Sequence, residues 1–293
     1  MHTHRLAVIA CFALLSVAGC SSDEVAGATT VLPPTAFVRY VNAVPDTSSL
    51  DFRFVDGDIE ASPQFPDVTF RSFTAYQRAR VGTRRLRVFT NALPYGSSAA
   101  VAAQMHIDTT FTFEENKRYT IISFGFARTS ATPRHRLVIL TDNLPTTLSA
   151  TQIGVRTIHA AAGVGSVDVY VRPTETPAGI AGATPTATGV AQLAATAYLT
   201  LDARPTGGAL LYRWDLAAAG SSAALTVTPS SGLPGSVGTT SANPLSGFQV
   251  GRSIITAILL GPAVVGSRAP QTSDFTNPGI RFLPDFHLDT SGR

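Results

Sequence analysis

The chain has 293 residues, of which 44% are hydrophobic and only 14% are charged, and its formal net charge is +3. This length can supply one large or two ordinary domains, each with its own core, and the composition excludes a disordered chain. A net charge this small does not predict nucleic-acid binding, which normally needs a concentrated basic face.

The N-terminal segment predicts export and lipidation. Residues 6–18 are almost wholly apolar, have the length of a signal-peptide core, and are too short to span a bilayer, which takes about 20 residues. Residues 15–20 (Leu-Ser-Val-Ala-Gly-Cys) resemble the lipobox of bacterial lipoproteins, in which the cysteine receives a diacylglycerol before cleavage. We therefore expect a signal peptide at 1–19 and a lipidated mature N-terminus at Cys20. An ordinary signal peptide that contains a cysteine is the alternative.

The residues around Cys20 refine this expectation. In lipoproteins of this kind a serine after the lipidated cysteine favours the outer membrane, and Ser21 stands there. The other cysteine, Cys11, lies inside the signal peptide, so the mature chain would have no thiol for disulfide, zinc-thiolate or nucleophilic chemistry. Residues 20–36 are rich in Ser, Ala, Thr and Pro, which predicts a flexible tether after the lipid.

After the tether, short alternating or β-branched runs are separated by turn residues, which predicts strands throughout. Similar segments recur in the same order, at a spacing that grows from 117 residues (Val38 to Val155) to 143 residues (Leu140 to Leu283). Because loop insertions lengthen such a spacing without changing the order, the pattern indicates a duplication. We predict an all-β chain with two tandem antiparallel β-sandwich-like domains, at 37–144 and, with loop insertions, at 152–293, joined by a linker at 145–151.

Three motifs carry a family resemblance. Residues 155–160 (Val-Arg-Thr-Ile-His-Ala) precede residues 167–171 (Val-Asp-Val-Tyr-Val), and residues 141–143 are Thr-Asp-Asn. These motifs resemble domain-of-unknown-function family 4397 (DUF4397), which is found in exported bacterial proteins. The resemblance implies an extracellular β-sandwich module, and it brings no established activity.

His159 lies in the most distinctive of these motifs, one strand away from Asp168. A His–Asp pair could orient a base or bind a metal ion. The first copy has Asn42 at the position of His159, and an asparagine cannot act as a base. A structural role, in which the side chain ties a strand end to a loop, explains both residues.

Asp51 and Asp168 occupy equivalent strand positions and are each flanked by apolar residues. Aspartates on an inward face would need partners. Arg39 and Arg156, at equivalent positions on the preceding strands, could supply them, so the sequence predicts two Arg–Asp pairs that stabilise the fold.

Arginines alternate with uncharged residues on both sides of Gly82. A hairpin there would place at least four guanidinium groups on one face, those of Arg78, Arg80, Arg85 and Arg87. Two interpretations are open. The arginines are a solvated face that resists edge-to-edge aggregation, or they form a patch for an anionic glycan, a lipid phosphate or an acidic protein partner.

The remaining motifs do not point to catalysis. Residues 56–60 (Asp-Gly-Asp-Ile-Glu) have three carboxylates at the spacing found at the start of a calcium-binding loop. The later ligands of such a loop are missing, so we predict a hairpin turn instead. No metal ion or other cofactor is expected, and no hydrolase or metalloprotease motif occurs. The sequence predicts a non-catalytic cell-envelope lipoprotein that serves in binding, adhesion or surface structure. The alternative is an extracytoplasmic hydrolase or metal-dependent enzyme with its site in the loops of the second domain.

Overall fold

The computed structural model describes residues 33–55, 64–90, 103–177, 179–204, 211–229, 233–236 and 245–288. Within the chain, residues 34–293 form one compact unit. The predicted signal peptide, Cys20, Ser21, most of the tether and the turn at residues 56–60 lie outside the described residues.

The N-terminal half of this unit contains two four-stranded sheets, ordered β4-β1-β7-β8 and β3-β2-β5-β6. The strands are β1 (Thr35–Ala43), β2 (Ser49–Phe54), β3 (Phe65–Thr69), β4 (Gln77–Arg80), β5 (Gly82–Thr90), β6 (Met105–Phe113), β7 (Arg118–Phe124) and β8 (Arg136–Thr141). Buried side chains from both sheets meet in one core, as in a sandwich.

The C-terminal half repeats this order, with sheets β12-β9-β15-β16 and β11-β10-β13-β14. Its strands are β9 (Gln152–Ala160), β10 (Val167–Pro173), β11 (Ala187–Val190), β12 (Leu199–Asp202), β13 (Tyr212–Ala218), β14 (Ala224–Pro229), β15 (Ser253–Leu260) and β16 (Gly279–His287), and a short helix, α1 (Ser273–Thr276), precedes β16. The predicted all-β, sandwich-like fold is confirmed.

The central strands of each half pair in parallel, which differs from the purely antiparallel sheets that we expected. β1 pairs with β7, and β9 pairs with β15 in the same way. A parallel pair needs a long crossover connection, and here the connections pass through the other sheet of the same half. Strands that are buried on both faces favour this arrangement, and almost every residue of these four strands is buried.

Alternation along β1 explains why both of its faces are buried. Val38 and Tyr40 point into the core of the N-terminal half. Val41 and Ala43 instead belong to an apolar cluster that includes Ile158 of β9 and residues of β15 and β16. The halves therefore share a second core, and side chains on this face of β1 and β9 lie at the junction between them.

Candidate functional site

Arg39 lies at this junction and is bound by an aspartate of the other half. Its guanidinium is buried and donates from Nη1 to Asp285 Oδ1 at 2.7 Å and from Nε to Thr120 Oγ1 at 2.8 Å. Asp285 in β16 is equivalent to Asp142, which directly follows β8: each lies two residues after a leucine, Leu283 or Leu140, that is paired with Thr256 or Thr120. The first arginine thus uses the carboxylate of the second half.

Arg156 makes the reciprocal bond. Its Nη2 donates to Asp142 Oδ1, and its Nε donates to Thr256 Oγ1 at 2.9 Å. The carboxylates at both pairs are fully buried. Two guanidinium groups and two carboxylates therefore neutralise each other across the junction, which satisfies the requirement that buried charges be paired and hydrogen-bonded.

Two tyrosines and two threonines complete this junction network. Asp142 Oδ2 accepts from the Tyr76 hydroxyl at 2.6 Å and from Thr120 Oγ1 at 2.7 Å. Asp285 Oδ2 accepts from the Tyr198 hydroxyl at 2.8 Å and from Thr256 Oγ1 at 2.6 Å. The network so defined comprises Arg39, Tyr76, Thr120, Asp142, Arg156, Tyr198, Thr256 and Asp285.

The tyrosines and arginines of the network have raised pKa values. Burial raises the pKa of Tyr76 and of Tyr198 well above the ordinary phenol value, so both hydroxyls stay protonated and donate. Burial alone would lower the pKa of Arg39, but the charge and hydrogen bond of Asp285, together with the charges of Tyr76 and Asp142, outweigh burial and the pKa is raised. Each guanidinium also lies over a tyrosine ring, Arg39 at 4.6 Å from the Tyr76 centroid and Arg156 at 5.0 Å from that of Tyr198. The arginines and tyrosines of the network thus keep their protons and join the halves.

The predicted pairs Arg39–Asp51 and Arg156–Asp168 are wrong. The arginines point from the central strands toward the junction, whereas Asp51 and Asp168 lie on β2 and β10 in the other sheet of each half. The pattern of alternating residues could not distinguish these faces.

The two aspartates instead hold β-bulges in the edge strands. Asp51 Oδ1 accepts from the amide of Asp67 at 2.8 Å, and Asp168 Oδ1 accepts from that of Gly189 at 2.7 Å. Asp67 and Gly189 both have positive φ, at 52° and 59°, in β3 and β11. Amides of Gly220 and Gly189 lower the pKa of Asp168, which favours the ionised acceptor.

His159 and Asn42 make matching bonds at the ends of β9 and β1. His159 Nε2 bonds to the carbonyl of Gly165 at 2.8 Å, and its Nδ1 accepts from the amide of Ala161 at 3.2 Å. Asn42 Oδ1 accepts from the amide of Val44 at 3.0 Å. Both side chains thus bind the amide two residues further on. Burial lowers the pKa of His159, consistent with a neutral ring that can accept.

Among the described residues, metal-ligating side chains do not cluster. No group of three or more His, Cys, Asp or Glu side chains that could hold a metal ion occurs among those residues. Within the same ranges, no helix is long and apolar enough to cross a membrane.

The expected arginine hairpin is wrong. β4 pairs with β1, whereas β5 pairs with β2 and β6, so the chain passes from one sheet to the other at Gly82. Arg78 and Arg80 are exposed on β4. Arg85 and Arg87 lie on β5 and share the carboxylate of Asp108, at 2.6 and 3.0 Å. The four arginines do not form one strand-pair face, and polyanion binding by them stays a prediction.

An open groove of about 560 Å³ lies in the C-terminal half, a size typical of ligand sites. β10 and the edge strand β11 form one wall, and β9 with residues 194–199 forms the other. Valine, alanine and threonine dominate the lining. The ionisable side chains in it are Arg156 and Tyr198, and both are held in the junction network. Apart from the paired Arg156, the groove thus offers an uncharged surface, and no sequence motif marks it.

Comparison with known proteins finds a family match over part of this chain. Residues 36–170, which cover the N-terminal half and the start of the C-terminal half, match the domain of unknown function DUF4397. No curated protein matches the chain.

Two crystal structures resemble the fold distantly. A proposed adhesin from Bacteroides ovatus is 9% identical, with a TM-score of 0.24 over 85% of this chain and 95% of that one. A proposed cell adhesion protein from Parabacteroides distasonis is 11% identical, with a TM-score of 0.22 over 86% of this chain and 98% of that one. Similarity at this level supports no inference about function.

Proposed function

We propose that the protein is a non-catalytic module of the bacterial cell envelope that is exported and anchored by a lipid on Cys20. In this proposal the module binds a partner in the groove beside β11. One observation carries this proposal: the polar side chains that the sequence singled out are bonded into the fold, whereas the groove is open and, apart from the paired Arg156, uncharged. Arg39 and Arg156 join the halves, Asp51 and Asp168 hold bulges, and His159 ties a strand end to a loop.

We further propose that the two halves are tandem copies of one module. The repeated strand order supports this, and so do the reciprocal arginine–aspartate bonds. In this proposal the lipid and the tether present a rigid pair of sandwiches, and partner binding falls to the C-terminal copy.

Photo-crosslinking in intact cells tests the binding function. Leu199 lines the groove with 37% of its surface exposed, and a benzophenone amino acid in its place would face a bound partner. Val265, which is 85% exposed and lies outside the lining, is the matched control position. We expect a discrete crosslinked product from position 199 and none from position 265. Equal products at both positions, or none at position 199, would contradict a binding groove.

A further inference from the structure

The strand registers identify which residues of the two halves are equivalent around the groove. In the N-terminal half, Phe52 of β2 lies opposite Phe65 of β3, next to the bulge in that strand pair. In the C-terminal half, Val169 of β10 lies opposite Ala187 of β11, next to the same bulge. A pair of phenylalanines in one half thus corresponds to valine and alanine in the other.

Aromatic rings fill this space in the N-terminal half. The ring of Phe52 lies 5.2 Å from that of Tyr40, 5.8 Å from that of Phe65 and 5.2 Å from that of Phe54, measured between centroids. Tyr40, Phe52 and Phe65 are almost completely buried. These spacings are those of favourable aromatic pairs, so the sandwich is closed at this edge.

In the C-terminal half a smaller side chain replaces each of these four rings, and all four replacements line the groove. The replacements are Thr157 for Tyr40, Val169 for Phe52, Val171 for Phe54 and Ala187 for Phe65. The same backbone framework is kept, since the strand order and the bulge are unchanged. The groove therefore occupies the space in which the other half packs its rings.

The C-terminal half places its own rings elsewhere. Trp214, Phe248 and Phe282 pack edge to face with centroids 5.0–5.4 Å apart, and none of the three lines the groove. Trp214 lies behind the groove, where its Nε1 donates to Oγ1 of the lining residue Thr157 at 3.1 Å. These rings complete the core of the half and leave the edge between β11 and β12 open.

We propose that the groove binds an aromatic side chain that a partner polypeptide presents on an extended segment along β11. This deepens the proposed function and rests on it. The lining is mostly small and apolar, and phenylalanine rings occupy the equivalent positions of the N-terminal half. β11 is an edge strand, so an extended segment can lie against it while one side chain enters the groove.

Trp214 provides a local reporter, because it is the only tryptophan in the chain and is hydrogen-bonded to Thr157 of the groove lining. The probe is a blocked peptide of alternating threonine and valine with one central phenylalanine, titrated into the full chain. The matched probe has alanine at the centre. We expect a saturable change in Trp214 emission with the phenylalanine peptide and affinity weaker by about tenfold or more with the alanine peptide. Equal affinity for the two peptides would overturn the aromatic specificity.

Groove-filling variants locate the binding. Ala187→Phe and Val171→Phe restore rings that the N-terminal half accommodates, and Ala75→Phe adds a ring at an exposed position outside the groove as a control. We expect either filled variant to lose affinity by about tenfold or more and Ala75→Phe to bind as the parent does. Cooperative unfolding identifies which filled variants are folded. Undiminished binding by a folded filled variant would refute the site, and a crosslink at position 199 without peptide binding would refute the ring specificity alone.

Discussion

Arg39→Ala should destabilise the folded chain by about 3–5 kcal/mol, because it leaves the carboxylate of Asp285 buried without its cation. Urea unfolding followed by Trp214 emission measures this change. Arg85→Ala is the control: its side chain is 52% exposed beside Asp108, and such pairs contribute about 1 kcal/mol or less. A loss for Arg39→Ala no larger than that for Arg85→Ala would show that the junction network does not hold the halves together.

The reciprocal bond of Arg156 to Asp142 leads to a second prediction. Arg156→Ala should cost a similar amount, since it strands Asp142 in the same way. A double-mutant cycle on Arg39 and Asp285 should give a coupling energy within about 0.5–3 kcal/mol, because removing both charges leaves neither one unpaired. Additive losses at Arg39 and Asp285 would contradict a direct bond between the two halves.

Cys20→Ala should release the protein from the membrane fraction. Stable anchoring takes about two acyl chains, and without the cysteine the proposed anchor has no attachment point. Cell fractionation with an immunoblot measures the change. Cys11→Ala is the matched control, because it removes the other cysteine, inside the predicted signal peptide, and should leave the protein membrane-bound. A Cys20→Ala protein that stays with the membranes after its signal peptide has been removed would contradict lipid anchoring, whereas retention with the signal peptide uncleaved would mean that the apolar segment anchors it.

Local patterns in the sequence were enough to predict the strands and their class. Short alternating runs between turn residues depend on side-chain direction and backbone sterics, which act within a few residues. The matched segments around Arg39 and Arg156 also lie at equivalent positions in the structure, on β1 and β9. Positions are thus predictable where the chain itself repeats.

The partners of those arginines could not be predicted in the same way. Arg39 and Asp285 are 246 residues apart, and the bond forms only because two sheets from different halves pack face to face. Asp51 lies closer in sequence and was the obvious partner, but it belongs to the opposite sheet. The prediction of an arginine hairpin around Gly82 was wrong for a related reason. An alternating pattern does not reveal that the chain changes sheets at a turn.

The groove was missed because the sequence comparison followed similarities between the halves. Its signal lies in the differences, where Tyr40, Phe52 and Phe65 correspond to Thr157, Val169 and Ala187. The replacements are far apart in the sequence, and only the three-dimensional register brings them to one place. With the register known, the loss of several rings at one edge indicates an open site.

The most direct test of the binding groove is photo-crosslinking from position 199 in a Val169→Phe/Ala187→Phe background. These two rings reproduce the pair that closes the N-terminal half, so the variant should fold and its groove should be filled. We predict that the crosslinked product seen with the parent chain disappears while the amount of protein in the envelope stays the same. An undiminished product from the folded, filled variant would contradict partner binding in the groove.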